Sequence, residues 1–441
     1  MSVLLARRAA AGVAAVGLLA AAAAAQTTEP APPPDFHAAG AELRAYVASA
    51  LEHNPAILES RARYGAARQR VPQVTALPDP VLTFTQALRS VETRVGPQLN
   101  SLTVSQAFPW FGTLDLRGQV ALQQAAALYH VHEADQRDVI AQVKEAYFEL
   151  GYADAALRLA GEERSLLEHY ETLASARYAA GQGLQQAVIR LQAEIARVVN
   201  RRHGLEQQRA VLEARLNTLR RRPADEALPR VGPLARPAVE LQREQLVRLG
   251  DQHRQDLRAA AALIRGSEHA IDLAQKSARP GFTASVGVTN VGRHGDPARL
   301  NLIQPDDGKN ALTVSLGVSL PIRRARYRAA AAQAADELRA HQQRRAAARD
   351  AMELDVQEAL VRLETLDRQI DLLDTVLIPQ TDEALRATEA AYETGQLGVL
   401  DLLDSERTLL DMRLMRARYV SDYLVALTRL ERAVGTRVPP E

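Results

Sequence analysis

Two long stretches of the chain repeat their apolar residues every seven positions. In the later one, Val356, Leu363, Ile370 and Leu377 form one row, and Ala359, Leu366 and Leu373 stand three positions after the first three. In the earlier one, Val143, Leu150 and Leu157 hold one row, and Ala146, Ala153 and Ala160 the other. A seven-residue apolar repeat is an a/d seam, and it predicts helices that supercoil left-handedly around neighbours. The small alanine row lets a neighbouring helix approach closely. No proline interrupts 114–178, and Pro379 alone interrupts 326–392. Each stretch is roughly 65 residues, or about 100 Å as a helix. A lone helix has no use for such a seam, so each must pack side-on against others.

Four short segments change period from seven to two. Phe282, Ala284, Val286 and Val288 alternate with Thr283, Ser285, Gly287 and Thr289. Leu312, Val314, Leu316, Val318 and Leu320 alternate with Thr313, Ser315, Gly317 and Ser319. The pattern predicts strands near 281–291 and 311–320, with one apolar face and one face of small or polar residues. A weaker pair, Leu82 and Phe84, then Leu102, Val104 and Phe108, predicts strands near 80–90 and 101–108. A barrel strand crossing a bilayer takes about 9–11 residues of this alternation. A small soluble sheet is the other reading, but two strands per half are marginal on their own.

The two halves repeat one another. Val143-Lys-Glu145-Ala146 matches Val356-Gln-Glu358-Ala359, and Tyr178-Ala-Ala-Gly181-Gln182 matches Tyr392-Glu-Thr-Gly395-Gln396. Phe108-Pro109 likewise matches Leu320-Pro321. The near-constant spacing argues for duplication. Each half reads strand, strand, proline, very long helix, Tyr-x-x-Gly turn, shorter helix. Pro109 and Pro321 mark the strand-to-helix junctions, and Gly181 and Gly395 the hairpin turns. The boundaries expected are 38–221 for the first repeat, 222–237 for a proline-rich linker, 238–435 for the second repeat and 436–441 for a tail. Four strands cannot close a barrel, and an open sheet edge is not tolerated in lipid. Several copies must therefore combine, and three would give twelve strands.

The N-terminus adds a destination. Arg7 and Arg8 precede an apolar run, Ala9 to Ala25, that ends in Ala23-Ala24-Ala25. This is the layout of a secretory signal over 1–25, followed by a flexible leader over 26–37. An uncleaved anchor is the alternative, though the run falls short of the ~20 residues a span needs. Losing Arg7 and Arg8 would turn the net charge of +1 into −1. That balance offers no footprint for nucleic acid. Aromatics are 4% of the chain, too few for an ordinary compact core, and there is no cysteine. Thiolate metal sites, cysteine catalysis, disulfides and lipid-modified cysteine are thereby excluded.

These features resemble the TolC family of outer-membrane efflux ducts. The marks are Leu51-Glu-His-Asn54-Pro55, Leu77-Pro78-Asp79-Pro80, Ser105-Gln106-Ala107-Phe108-Pro109-Trp110-Phe111-Gly112 and the duplicated turns. The resemblance implies a mainly α protein with a small β part: a homotrimer whose twelve-stranded transmembrane β-barrel continues into a periplasmic α-helical barrel. It implies placement in outer-membrane lipid, with a periplasmic adaptor (membrane fusion protein) and an inner-membrane pump as partners. It also assigns Asp401 and Asp404, six and nine residues beyond Gly395, to a closed periplasmic gate, with Tyr392 in the latch. At i and i+3 the two aspartates share a helix face, and six carboxylates in a ring would favour cations. A plain solvated acidic face is the other reading. The first half carries Ala187 and Arg190 instead, and Leu397 stands where the family has a latching arginine.

No motif calls for catalysis or a cofactor: G-x-S-x-G, a phosphate loop and HExxH are absent. His130 and His132 are two apart on a helix, a poor metal pair that reads as surface histidines. Met352, Met412 and Met415 form no copper-type cluster, and Trp110 reads as an interfacial aromatic. A periplasmic adaptor would need several β-rich domains flanking one hairpin, and a scaffold coiled coil would need neither strands nor signal. The Phe108–Gly112 run and the missing lipid-site cysteine lean toward the heavy-metal efflux branch, with multidrug efflux and type I secretion as alternatives.

Overall fold

The computed structural model describes residues 40–237, 239, 242–293 and 306–438. The signal and leader expected over 1–37, position 238 and the last residues of the tail lie outside these. Nine α-helices and four strands are described: α1 (Ala41–His53), α2 (Pro55–Thr75), β1 (Val81–Thr93), β2 (Gly96–Phe108), α3 (Thr113–Ala179), α4 (Gln185–Leu219), α5 (Arg243–His253), α6 (Gln255–Lys276), β3 (Gly281–Val291), β4 (Ala311–Ser319), α7 (Arg324–Leu372), α8 (Ile378–Glu393) and α9 (Val399–Val434). A π-helical turn, Leu373–Leu377, joins α7 to α8 without a break.

The repeating unit is longer than alternation and heptads predict. Each half opens with a helix pair before its strands, α1–α2 and α5–α6. The sequence hides α2, whose buried residues are only Ile57 and Ser60 and whose interior holds Pro72. Both pairs bend at one extended residue, Asn54 (φ −64°, ψ 125°) and Arg254 (φ −64°, ψ 123°). Each elbow ties down the end of its half's last helix. Asn54 Nδ2 donates to the Leu219 carbonyl at 3.0 Å, and Arg254 Nη1 to the Ala433 carbonyl at 3.2 Å. Buried backbone acceptors at helix ends need such partners.

The heptad rows are the core. Val143, Leu150, Ala146 and Ala153 are fully buried, as is Val356, with Leu363, Leu366 and Ile370 at 1% exposure. The later row then slips by one. Leu377 is half-buried, and the next sevenfold row is Ile378, Leu385 and Tyr392. A π turn holds one more residue than an α turn, so it shifts the phase by that amount. It lies just before Pro379, which has no N–H to give the α ladder. The seam expected to run unbroken through Leu377 is therefore two seams in different registers.

The strands form one antiparallel meander, β1-β2-β3-β4. β1 and β2 run further than the pattern suggests, to Thr93 and from Gly96, because their outer ends lack clean alternation. Register puts like with like. Leu82, Val104, Val286 and Val314 share one cross-strand row, and Phe84, Leu102, Val288 and Leu312 the next. Thr83, Thr103, Gly287 and Thr313 share a row on the opposite face. The apolar face is not covered: Leu82 is 65% exposed, Val314 70% and Leu316 83%. Among the described residues, neither the outer edge of β1 nor that of β4 has a partner.

Candidate functional site

The two hairpins, α3–α4 and α8–α9, end in turns of the same backbone. Gly181 (φ +73°) and Gly395 (φ +79°) take the left-handed conformation that lets a helix stop. The bonds match: Gln182 N to Arg177 O and Gln396 N to Ala391 O, both 2.9 Å. The side chains differ. Tyr178 is 48% exposed, whereas Tyr392 is 5% exposed. Arg177 accounts for this. Its Nη1 donates to the Tyr392 carbonyl at 2.7 Å, its Nη2 to the Glu393 carbonyl at 2.5 Å, and its guanidinium lies 4.8 Å from the Tyr392 ring centre. A polar link across the hairpins thus exists, supplied by α3 and not from position 397, where Leu397 is exposed. Sequence reasoning missed Arg177. The signal was its place one residue before the duplicated tyrosine, where the second half has Ala391.

Asp401 and Asp404 open α9. Asp401 Oδ2 accepts the Gly398 N–H at 3.2 Å, and a carboxylate in the first turn suits the positive helix end. Both aspartates are exposed. They border a groove of about 500 Å³ between α4 and α9, together with Arg190, Arg197, Arg407 and Glu194. The pair therefore faces guanidiniums within its own chain and is not a bare acidic patch.

Just inside that groove lie three buried glutamates that sequence reasoning did not single out: Glu163 on α3, Glu194 on α4 and Glu406 on α9, each at most 4% exposed. Arg201 grips Glu163 with two bonds, 2.9 and 3.2 Å. Arg407 grips Glu194 with Nε at 3.1 Å and a second bond from Nη2, and Arg197 adds one at 2.8 Å. These guanidiniums outweigh burial and hold Glu194 below its ordinary range. Glu406 has no such grip, and its Oε2 has no hydrogen-bond partner. Burial, then the charges of Glu163 and Glu194, push its carboxyl up to about 7. A charged residue on a helix face carries no mark of burial in the sequence, so this cluster was not legible.

At the other end of α3 and α7, Pro109 and Pro321 stand in the short connections from β2 and β4, ahead of the first helical residues Thr113 and Arg324. Trp110 packs 5.9 Å from both Phe111 and Phe282, an aromatic cluster at the helix-side margin of the apolar sheet face. The histidines are not surface groups as expected. His132 is buried against Ser60 Oγ at 2.9 Å, and His130 Nδ1 lies 2.7 Å from Glu133. Among the described residues no group of three His, Cys, Asp or Glu could hold a metal, and no helix is long and apolar enough to cross a membrane.

Residues 246–436 match the family model described as outer membrane efflux protein. No curated protein matches the chain by sequence. Solved structures match the fold along most of its length. A membrane protein from Pseudomonas aeruginosa is 20% identical with a TM-score of 0.73, covering 90% of this chain and 91% of its own. The outer membrane protein VceC from Vibrio cholerae is 18% identical with a TM-score of 0.72, covering 90% and 97%. The open-state MtrE outer membrane channel of Neisseria gonorrhoeae is 23% identical with a TM-score of 0.71, covering 89% of each. The chain shares the fold of these three membrane proteins along about nine-tenths of its length.

Proposed function

We propose that the chain is the outer-membrane duct of a tripartite efflux system, working as a homotrimer with a periplasmic adaptor and an inner-membrane pump. The observation that carries this reading is the four-stranded sheet. Among the described residues it bears an uncovered apolar face and two unpartnered edges, a combination stable in lipid only if copies close a barrel. Three copies give twelve strands, with the long helices continuing as a tube in the periplasm. Asp401, Asp404 and Tyr392 form the periplasmic gate, where six aspartates around one axis repel one another unless offset by Arg190, Arg197 and Arg407. Heavy-metal cations are the cargo suggested by the Phe108–Gly112 run and the missing lipid-site cysteine, with the choice made at the pump. Heat-sensitive trimers in outer-membrane fractions are the expected result, and a soluble monomer would sink the duct. A strain lacking the gene should lose tolerance to copper, zinc, cobalt or silver; lost tolerance to dyes and antibiotics alone would transfer the duct to a drug pump.

A further inference from the structure

The two rims of the sheet differ in charge. Among the described residues near the far rim, Arg89, Arg94, Arg293 and Lys309 are matched by Glu92, Asp306 and Asp307, a near balance, and Lys309 pairs with Asp306 at 3.1 Å. The helix-side rim carries Lys276, Arg279, Arg323, Arg324, Arg326 and Arg328, with Arg117 beside them on α3, and its acids are Asp79, Asp115 and Asp272. No acid occurs between Lys309 and Asp336. The four arginines are exposed, and among the described residues none of them forms an ion pair, nor does Lys276. The Lys276 ammonium lies against the junction itself: a Cβ on Gly112 would fall 2.5 Å from its Nζ.

Apolar surface adjoins these cations. Leu320 is 72% exposed, Ile322 80% and Phe111 78%, continuous with the uncovered face of β4. An apolar face ending in an aromatic cluster and then in unpaired cations has the layout of a lipid chain ending in a phosphate. Neighbouring copies of the chain would bring only their own Asp79, Asp115 and Asp272 with their own cations, so assembly leaves the excess in place.

Resting on the duct reading, we infer that residues 323–328, with Lys276 and Arg279, form a collar that binds the phosphates of anionic phospholipids in the leaflet facing the helices. The full-length protein should keep phosphatidylglycerol and cardiolipin through purification in mild detergent, in preference to phosphatidylethanolamine. Replacing Arg323, Arg324, Arg326 and Arg328 together by Gln should lower the retained anionic lipid about threefold or more. Arg89→Gln with Arg94→Gln, on the far rim, should leave it unchanged. Equal retention by the collar variant and the parent would overturn the proposal. If the variant fails to assemble, the parent decides: release of anionic lipid by salt supports the collar. Lack of preference over phosphatidylethanolamine, or retention of anionic lipid unaffected by salt, overturns it. A parent absent from outer-membrane fractions would refute the duct reading itself, separately from the collar.

Discussion

The two hairpin ends share a backbone and differ in chemistry. Gly181 and Gly395 make the same turn, yet Tyr178 is half exposed where Tyr392 is buried under Arg177. Moving back 214 positions from the second hairpin, Leu402 becomes Val188, Asp404 becomes Arg190 and Glu406 becomes Gln192. Duplication has kept the backbone devices, which any second copy needs in order to fold. It has changed the side chains that decide which hairpin is held and which does the holding. At the turns the first hairpin holds through Arg177, and the second carries Asp401 and Asp404.

The largest break in that comparison should come from the core. Leu402 is fully buried and Val188 only partly. Leu402→Ala should cost about 2–5 kcal/mol, well above Val188→Ala, as read by thermal unfolding of the purified protein. Equal costs would mean that the two hairpins are packed alike.

Next is Glu406. Its folded carboxyl titrates near 7, above the ordinary value of 4.5. The folded state therefore holds the extra proton between these values, and stability should fall as pH rises from 4.5 to 7, by at most about 3 kcal/mol. Glu406→Gln makes the second hairpin like the first. It should flatten that slope and leave the protein more stable than the parent above pH 7. An unchanged slope would assign the titration elsewhere.

Arg177→Ala removes two charge-assisted bonds and should cost about 1.5–3 kcal/mol. The sharper readout is amide exchange, which should speed up around Tyr392 to Gly398 and leave the Gly181 turn unaltered. Asp401→Ala with Asp404→Ala should have the smallest effect on stability, about 0.5–1 kcal/mol from the lost helix-end interaction. It should nonetheless raise single-channel conductance or lower cation preference in a planar bilayer. Unchanged conduction would remove both aspartates from the gate.

The long helices and the sheet were legible because their periods are unmistakable: seven over dozens of residues, then two over ten. The turns were legible because Gly181 and Gly395 supply a conformation other residues resist. The elements missed were those too brief to sustain a heptad over many turns. α1 and α5 have 13 and 11 residues, α2 and α6 have 21 and 22, and α2 buries almost nothing. The phase slip at Leu373–Leu377 was hidden because Pro379 signals a break and gives no hint that a π turn can absorb it. Asp401 and Asp404 were reached through the family resemblance, since their i and i+3 spacing fits a solvated acidic face equally well. Arg177 and the buried glutamates act through pairing across helices, which no local window of sequence contains.

Closure of the sheet edges between copies is the central claim, and a chain without cysteine is suited to test it. Thr83 on β1 and Thr313 on β4 lie in one row of the same chain, three strands apart. That is about 14 Å, too far for a disulfide within one chain. Thr83→Cys should therefore be paired in turn with Thr313→Cys, Ser315→Cys and Gly317→Cys, oxidised in intact membranes and run on a non-reducing gel. Closure between copies predicts covalent trimers for at least one pair and none for the single variants. Monomers alone for every pair would contradict it.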